Sequence, residues 1–209
     1  PLTIFPLNCC KKVKASRLLS LGPAWKTREI GKAMSKDAHT THAAEEDVRN
    51  KDIKIWVNGD IVHRDEAKVS VYDSGFMLGD GMWEGMRLYE GVWAFFDEHM
   101  DRFFESCKAV SLDVGMDRAG ILEALNKTTA ANDMHSDVHC RLMLTRGVKV
   151  KPFQHPSLSR TGPTLVIICE HSKPANALQS KGIRLATVPQ VRGLPMSQDA
   201  KYNSHSKLN

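Results

Sequence analysis

The sequence predicts an α+β fold in which short strands come first, two helices follow and further strands come after them. Two patterns lead to this prediction. Apolar and polar residues alternate on both sides of Asn58-Gly59, which is typical of two strands joined by a tight turn. From Asp97 onward the apolar residues recur every three or four positions, which is typical of a helix with one buried face. We therefore expect a small two-layer domain of sheet and helices.

The strands are predicted from alternation and from turn residues. Ile53, Ile55 and Val57 alternate with polar or aromatic neighbours, and the chain then turns into Ile61-Val62-His63. Lys68 to Tyr72 is predicted as a further short strand. Two apolar runs separated by Glu90-Gly91 then predict a second hairpin, directly before the first helix.

Two helices are predicted next. The first begins near Asp97, and its apolar stripe consists of Met100, Phe103, Phe104, Cys107, Val110 and Ser111. The second begins after Asp117, whose side chain is a good N-cap, and ends near Asn132-Asp133. Its buried residues are predicted to be Ile121, Leu122 and Leu125.

The remaining chain divides into strands, a loop and a linker. Val138 to Thr145 and Thr164 to Cys169 are predicted strands. The length of the loop between them, from Gly147 to Pro163, is equally consistent with a binding role and with simple mobility. A linker is predicted over Glu170 to Pro174, and a last strand is predicted over Gly182 to Val188. The predicted boundaries are an extension over 1–50, an α+β domain over 51–170, a linker over 171–176 and the start of a second domain over 177–209.

The charge of the chain is concentrated near its beginning. The net charge is +5, but every charged residue up to Arg28 is basic and the first acidic residue is Glu29, so the rest is near neutral. This distribution removes the main support for a nucleic-acid-binding protein. The basic segment resembles an organellar transit peptide, and an untargeted tail or read-through sequence is the alternative. The predicted location is accordingly cytoplasmic, or mitochondrial or plastid if the segment is a transit peptide.

Other compositional features indicate a water-soluble protein with reduced thiols. No apolar run approaches the roughly 20 residues that span a bilayer, so no membrane association is expected. The five cysteines show no metal-ligand spacing, and we expect free, partly buried thiols. No metal site is predicted.

The stretch from Leu78 to Arg102 predicts an anion site. It contains a Gly-Asp-Gly turn, then the second hairpin, and ends with Arg102 at the head of the first helix. Free N–H groups and the positive dipole end of a helix favour an anion, and a basic residue in the first turn would strengthen that preference.

Several motifs, taken together, resemble one protein family. These motifs are IWVNGDIV, GDGMWEGMRLYEG, EHMDRFFESCKAV and RLMLTRG, followed by the tail DAKYNSHSKLN. In this order they resemble the class IV pyridoxal-phosphate-dependent aminotransferases, the group with branched-chain and D-amino-acid aminotransferases. The resemblance covers about residues 52 to 209 and implies the small N-terminal domain of that fold, a C-terminally truncated chain and only the start of the larger domain.

The resemblance also implies a cofactor and the residues that bind it. The cofactor is pyridoxal 5'-phosphate, and Arg102 matches the arginine that binds its phosphate, a guanidinium being well suited to phosphate oxygens. Lys201 matches the catalytic lysine that forms the Schiff base, with Lys207 as the alternative. A solvated helix residue is the alternative reading of Arg102.

The resemblance places three further residues near the substrate. Trp83 corresponds to an aromatic residue of the active-site wall, with a core tryptophan as the alternative. Arg141 matches a position near the substrate carboxylate in branched-chain relatives, and Arg87 is a weaker candidate for the same region. A surface ion pair is the alternative for both arginines.

The function implied is a transaminase that moves an amino group from a hydrophobic or branched-chain amino acid to a 2-oxo acid, in a homodimer. The loop after Arg146-Gly147 has Lys151 and Phe153 where D-amino-acid enzymes have an arginine and a histidine, which argues against that specificity. The alternatives are a catalytically incomplete family member that acts as a folding or dimerisation module, and a class IV lyase of the aminodeoxychorismate type.

Overall fold

The computed structural model describes residues 47–173, 182, 185–189, 191 and 193–207. The predicted extension, except for its last residues, lies outside these ranges, as do Pro174 and the cysteines at 9 and 10. The predicted domain boundaries therefore stay predictions at both ends.

Six strands and three α-helices make up the regular structure of the described part. The strands are β1 (Lys54–Val57), β2 (Asp60–His63), β3 (Gly81–Tyr89), β4 (Val92–Trp93), β5 (Val138–Thr145) and β6 (Thr164–His171). The helices are α1 (Ser74–Leu78), α2 (Phe96–Ala109) and α3 (Arg118–Ala131), and two 3-10 turns lie at Val48–Asn50 and Pro156–Leu158. Within the described ranges, no helix has the length and apolar character needed to cross a bilayer.

The strands form one antiparallel sheet in the order β2-β1-β6-β5-β3-β4. Helix α2 packs against β3, and α3 packs against β1 and β6. The core lies between the sheet and these helices, and its fully buried members include Met100, Phe103, Ile121, Leu125, Leu142 and Ile167. The predicted α+β two-layer architecture is confirmed.

Both predicted hairpins are present, and their turns show why the sequence forms them. Asn58 and Gly59 have φ angles of 51° and 108°, and Glu90 and Gly91 have φ angles of 47° and 79°. Two consecutive residues at positive φ match the right-handed twist of the flanking strands, and asparagine and glycine tolerate this region best.

Both predicted helices are confirmed. The Asp117 side chain accepts a hydrogen bond from the Gly120 backbone N–H at 2.8 Å, as expected of an N-cap. In α2 the stripe of Met100, Phe103 and Cys107 is buried. The extension of that stripe to Val110 and Ser111 is wrong, because α2 ends at Ala109 and both residues are exposed.

Three of the predicted local structures are wrong. Residues 68–72 form no strand, and Val69 and Val71 are exposed, so their alternation does not reflect burial. Of the predicted strand from Gly182 to Val188, residues 185–188 form no strand, and residues 183 and 184 lie outside the described ranges. Glu170 and His171 belong to β6 and not to a linker, because both pair with β5. Helix α1 was not predicted from the sequence. The Asp73 side chain caps it by accepting a hydrogen bond from the Gly75 N–H at 2.8 Å.

The three described cysteines, Cys107, Cys140 and Cys169, are free, as predicted, and buried. Burial raises the pKa of the Cys107 thiol to about 12. Burial and the hydrogen bond between Cys140 and Cys169, which face each other across β5 and β6, likewise raise the pKa of Cys140. Thiols with such high pKa values are poor nucleophiles.

Backbone hydrogen bonds hold the loop between β5 and β6 together. The N–H of Val150 donates to the Leu158 carbonyl at 2.9 Å, and that of Arg160 donates to the Val148 carbonyl at 2.6 Å. Gly147 begins this loop with a φ of 88°, and a Cβ atom there would lie 2.1 Å from the Gly162 carbonyl oxygen. The close approach therefore requires glycine at position 147.

Replacing Gly147 by alanine should lower the free energy of unfolding by about 2 kcal/mol or more, since alanine is disfavoured at positive φ and would also clash. The matched control is Gly162→Ala, where an added Cβ meets nothing within 4 Å. We expect that change to stay within about 0.5 kcal/mol. Urea unfolding of the two variants checks this, and equal stability losses would contradict it.

Candidate active site

Strand β3, next to the short edge strand β4, directs consecutive side chains to opposite faces of the sheet. Met82, Glu84 and Met86 are buried towards the helices, whereas Trp83 and Arg87 alternate with them on the other face, called here the open face. Glu84 is only 1% exposed although it is a carboxylate. A buried charge is strongly destabilising unless it is paired, so its partners define the first part of the site.

Glu84 is paired with two residues of α2. The Arg102 Nε donates to Glu84 Oε1 at 2.7 Å, and Arg102 Nη2 donates to Oε2 at 2.6 Å. His99 Nδ1 lies 2.8 Å from the same Oε2. Because an ionised carboxylate only accepts hydrogen bonds, the His99 proton in this contact lies on Nδ1. The two-pronged contact with Glu84 raises the pKa of the Arg102 guanidinium.

One expectation about Arg102 is wrong. The helix begins at Phe96, so Arg102 lies beyond the first turn, away from the free N–H groups. The first turn instead carries Asp97 and Glu98, which disfavour an anion there. The start of α2 therefore does not provide the predicted anion site. The prediction that Arg102 binds phosphate depends on the guanidinium itself and on the resemblance.

Part of the Arg102 guanidinium is available to donate hydrogen bonds to a ligand. Its side chain is 44% exposed, whereas that of Glu84 is 1% exposed. Within the described ranges, the hydrogen bonds of its guanidinium involve Nε and Nη2, and Nη1 has none. The carboxylate thus fixes one edge of the guanidinium and leaves the other directed away from it.

On the open face the structure brings together Trp83 and Arg141. The Arg141 guanidinium carbon lies 4.4 Å from the centre of the Trp83 ring, a cation–π distance. Arg141 is the cross-strand partner of Gly85, and glycine leaves room for the guanidinium beside the indole. Arg87 shares this face, but its Nη1 donates to the Ser172 carbonyl at 2.8 Å and so helps to fix the end of β6.

The segment 199–207 places its two lysines differently. Lys201 Nζ lies 2.7 Å from Glu105 Oε1 on α2, one turn after Arg102. Lys207 Nζ lies 5.9 Å from the Trp83 ring centre on the open face. The hydrogen bond to Glu105 raises the pKa of Lys201. Since an amine attacks a carbonyl only as the neutral base, the role predicted for Lys201 requires it to leave Glu105.

The comparisons with known proteins agree with the motifs of the sequence. The family model described as amino-transferase class IV matches residues 81–209. The chain belongs to the class IV aminotransferase family. The match begins at β3 and includes every residue predicted for the site.

Similar proteins include a curated plant relative and two solved structures. The chain is 38% identical over 160 residues to branched-chain-amino-acid aminotransferase-like protein 1 of Arabidopsis thaliana, covering 77% of this chain and 29% of the relative. A crystal structure of branched-chain aminotransferase from Thermoproteus uzoniensis with norvaline has a TM-score of 0.61 at 24% identity, covering 74% of this chain and 52% of that one.

The second solved structure is the T.th. branched-chain amino acid aminotransferase with pyridoxamine 5'-phosphate, with a TM-score of 0.52 at 25% identity. The match covers 60% of this chain and 42% of that one. This chain thus spans about half or less of the length of these family members.

Several residues that contact the predicted site residues, or lie close to them, were not predicted from the sequence. Glu84 was not predicted as the partner of Arg102, nor Glu105 as that of Lys201. The available signal for Glu84 was its position between Met82 and Met86 on the apolar side of β3, where a carboxylate must be paired. His205 was also missed. Its Nε2 is buried without a hydrogen-bond partner among the described residues, and burial lowers the pKa of its ring.

Removing the partner of a buried charge should destabilise the domain. Arg102→Ala leaves Glu84 buried with His99 alone, and we expect a loss of about 1–3 kcal/mol, reduced from the value for fully buried pairs because Arg102 is partly exposed. The matched control is Arg118→Ala. Arg118 is 45% exposed, much like Arg102, but its partner Asp101 is 68% exposed.

Thermal unfolding of the two arginine variants measures this difference. The Arg118 variant should stay within about 1 kcal/mol of the wild type. Equal losses in both variants would show that the burial of Glu84 contributes nothing to the strength of its pairing with Arg102.

Proposed function

We propose that the protein is a pyridoxal-phosphate-dependent aminotransferase that transfers an amino group from a hydrophobic or branched-chain amino acid to a 2-oxo acid. The observation that carries the proposal is the Arg102–Glu84 pair. Arg102, for which the family resemblance implies phosphate binding, has one edge fixed by Glu84 and the other edge free. The names of the similar proteins support the substrate class.

The residues present suit pyridoxal 5'-phosphate as the cofactor. Arg102 would bind its phosphate through the Nη1 edge, and a solved relative is described with pyridoxamine 5'-phosphate. When bound, the cofactor supplies an electron sink for bond breaking at the amino acid α-carbon. Arg102 is better suited than a lysine to this task because its planar fork serves Glu84 and a phosphate oxygen at the same time.

Lys201 is proposed as the catalytic residue. Its amine would hold the cofactor covalently and, once free again, would carry the proton taken from the substrate α-carbon. Release from Glu105 frees the amine for this role. The ion pair is exposed on both sides, with side-chain exposures of 50% and 59%, so its loss costs little.

The open face is proposed to bind the substrate. The Trp83 indole supplies apolar surface for a hydrophobic side chain, and the neighbouring Arg141 supplies a cation for a carboxylate. Arg87 is the weaker candidate, since it is already bound to the Ser172 carbonyl. The homodimer stays a prediction.

The lysine assignment has a direct test in the full-length protein. With pyridoxal 5'-phosphate, the wild type should show the absorbance band of lysine-bound cofactor, and Lys201→Ala should abolish it because the covalent partner is removed. Lys207→Ala is the matched control, six residues along the same segment, and should keep the band.

Borohydride reduction followed by peptide mapping gives an independent readout. We expect the cofactor to be fixed on Lys201. A band that persists in Lys201→Ala, or a label found on Lys207, would refute the assignment to Lys201.

A further inference from the structure

We propose that Trp83 is a positioning residue that docks the lysine-bearing segment onto β3 through its two N–H groups. The proposal gives this side chain a task besides contact with a substrate. The docking itself can be tested without cofactor, whereas its importance for Lys201 rests on the proposed function.

The edge of β3 is shared between two partners. Its last residues, Leu88 and Tyr89, pair with Trp93 and Val92 of the short strand β4. The first residues of β3 extend beyond β4 and leave backbone groups available on that side. An unpaired strand edge readily accepts another extended segment.

Residues 203–205 occupy this part of the edge. The backbone N–H of Trp83 donates to the Asn203 carbonyl at 2.8 Å, and that of His205 donates to the Gly81 carbonyl at 2.9 Å. Ser204 lies opposite Met82 in an antiparallel bridge and is only 6% exposed. The segment is thus a short extension of the sheet, and Lys201 precedes it by two residues.

The Trp83 side chain adds a third hydrogen bond to this docking. Its indole Nε1–H donates to the Ser204 carbonyl at 3.1 Å. The same residue therefore binds two consecutive carbonyls of the segment, one through its backbone and one through its ring. Because the indole also contacts the Arg141 guanidinium, the ring connects the segment to β5.

Close contact at Gly81 shows how tightly the segment lies against β3. A Cβ atom at Gly81 would be 3.0 Å from His205 Nδ1 and 2.4 Å from the Leu144 carbonyl oxygen. Only glycine at this position lets the His205 ring pack against the strand. The indole hydrogen bond thus acts where the segment and the strand are already in contact.

The experiment uses Trp83→Phe in the full-length protein without cofactor. Phenylalanine keeps an aromatic ring and the backbone N–H but lacks the indole donor, so the domain should still fold. We expect hydrogen exchange of the His205 amide to become about three- to tenfold faster, as the loss of one hydrogen bond predicts. Tryptic cleavage after Lys201 should also become faster.

The matched control is Trp93→Phe. The Trp93 indole also donates one hydrogen bond, to Asn126 Oδ1 at 2.9 Å, but lies at the β4 end of the same edge. This variant should leave the His205 exchange rate unchanged. Unaltered His205 exchange in Trp83→Phe, or an equal acceleration in Trp93→Phe, would overturn the proposal.

The two proposals fail in different ways. A cofactor band that survives in Lys201→Ala would overturn the proposed role of Lys201 and leave the exchange result intact. Normal His205 exchange in Trp83→Phe would overturn the docking role of Trp83 and leave the lysine assignment intact.

Discussion

The buried carboxylate of Glu84 is the constraint on which the arrangement of the site depends. It lies at the centre of β3 on the side that faces the helices, and it is only 1% exposed. Leaving such a charge unpaired is strongly unfavourable, so β3 and α2 must align until Arg102 and His99 reach it. The same requirement fixes the guanidinium that is proposed to bind phosphate. Stability and the proposed phosphate binding thus depend on one contact.

Side chains alternate along β3, so the residues proposed to bind phosphate and those proposed to bind substrate lie on opposite sides of the sheet. Glu84 and its partners lie on the helix side, while Trp83 and Arg141 lie on the open face. The segment 199–207 reaches both sides, since Lys201 contacts Glu105 on α2 and Lys207 lies near Trp83. A single strand therefore supports the predicted phosphate-binding arginine, the predicted substrate residues and the docking of the segment that carries Lys201.

Local patterns in the sequence predict most of the fold because the physics behind them is local. The two hairpin turns, the Asp117 cap and the stripe of α2 each depend on a few neighbouring residues. The prediction for residues 68–72 failed because alternation indicates a strand only if one face becomes buried, and Val69 and Val71 stay exposed. Pairings such as Arg102 with Glu84 join residues from different elements, so they depend on packing that no local pattern describes.

The family resemblance supplies the roles of the site residues, and the geometry supplies reasons for them. Together they lead to the proposal that Arg102, held by Glu84, binds the phosphate of the cofactor. The most direct measurement is the affinity of the full-length protein for pyridoxal 5'-phosphate relative to pyridoxal, which lacks the phosphate, in the wild type and in Arg102→Ala. If Arg102 binds the phosphate, the preference for the phosphorylated form should fall at least about tenfold in the variant, because a charge-assisted contact is lost. An unchanged preference would contradict it.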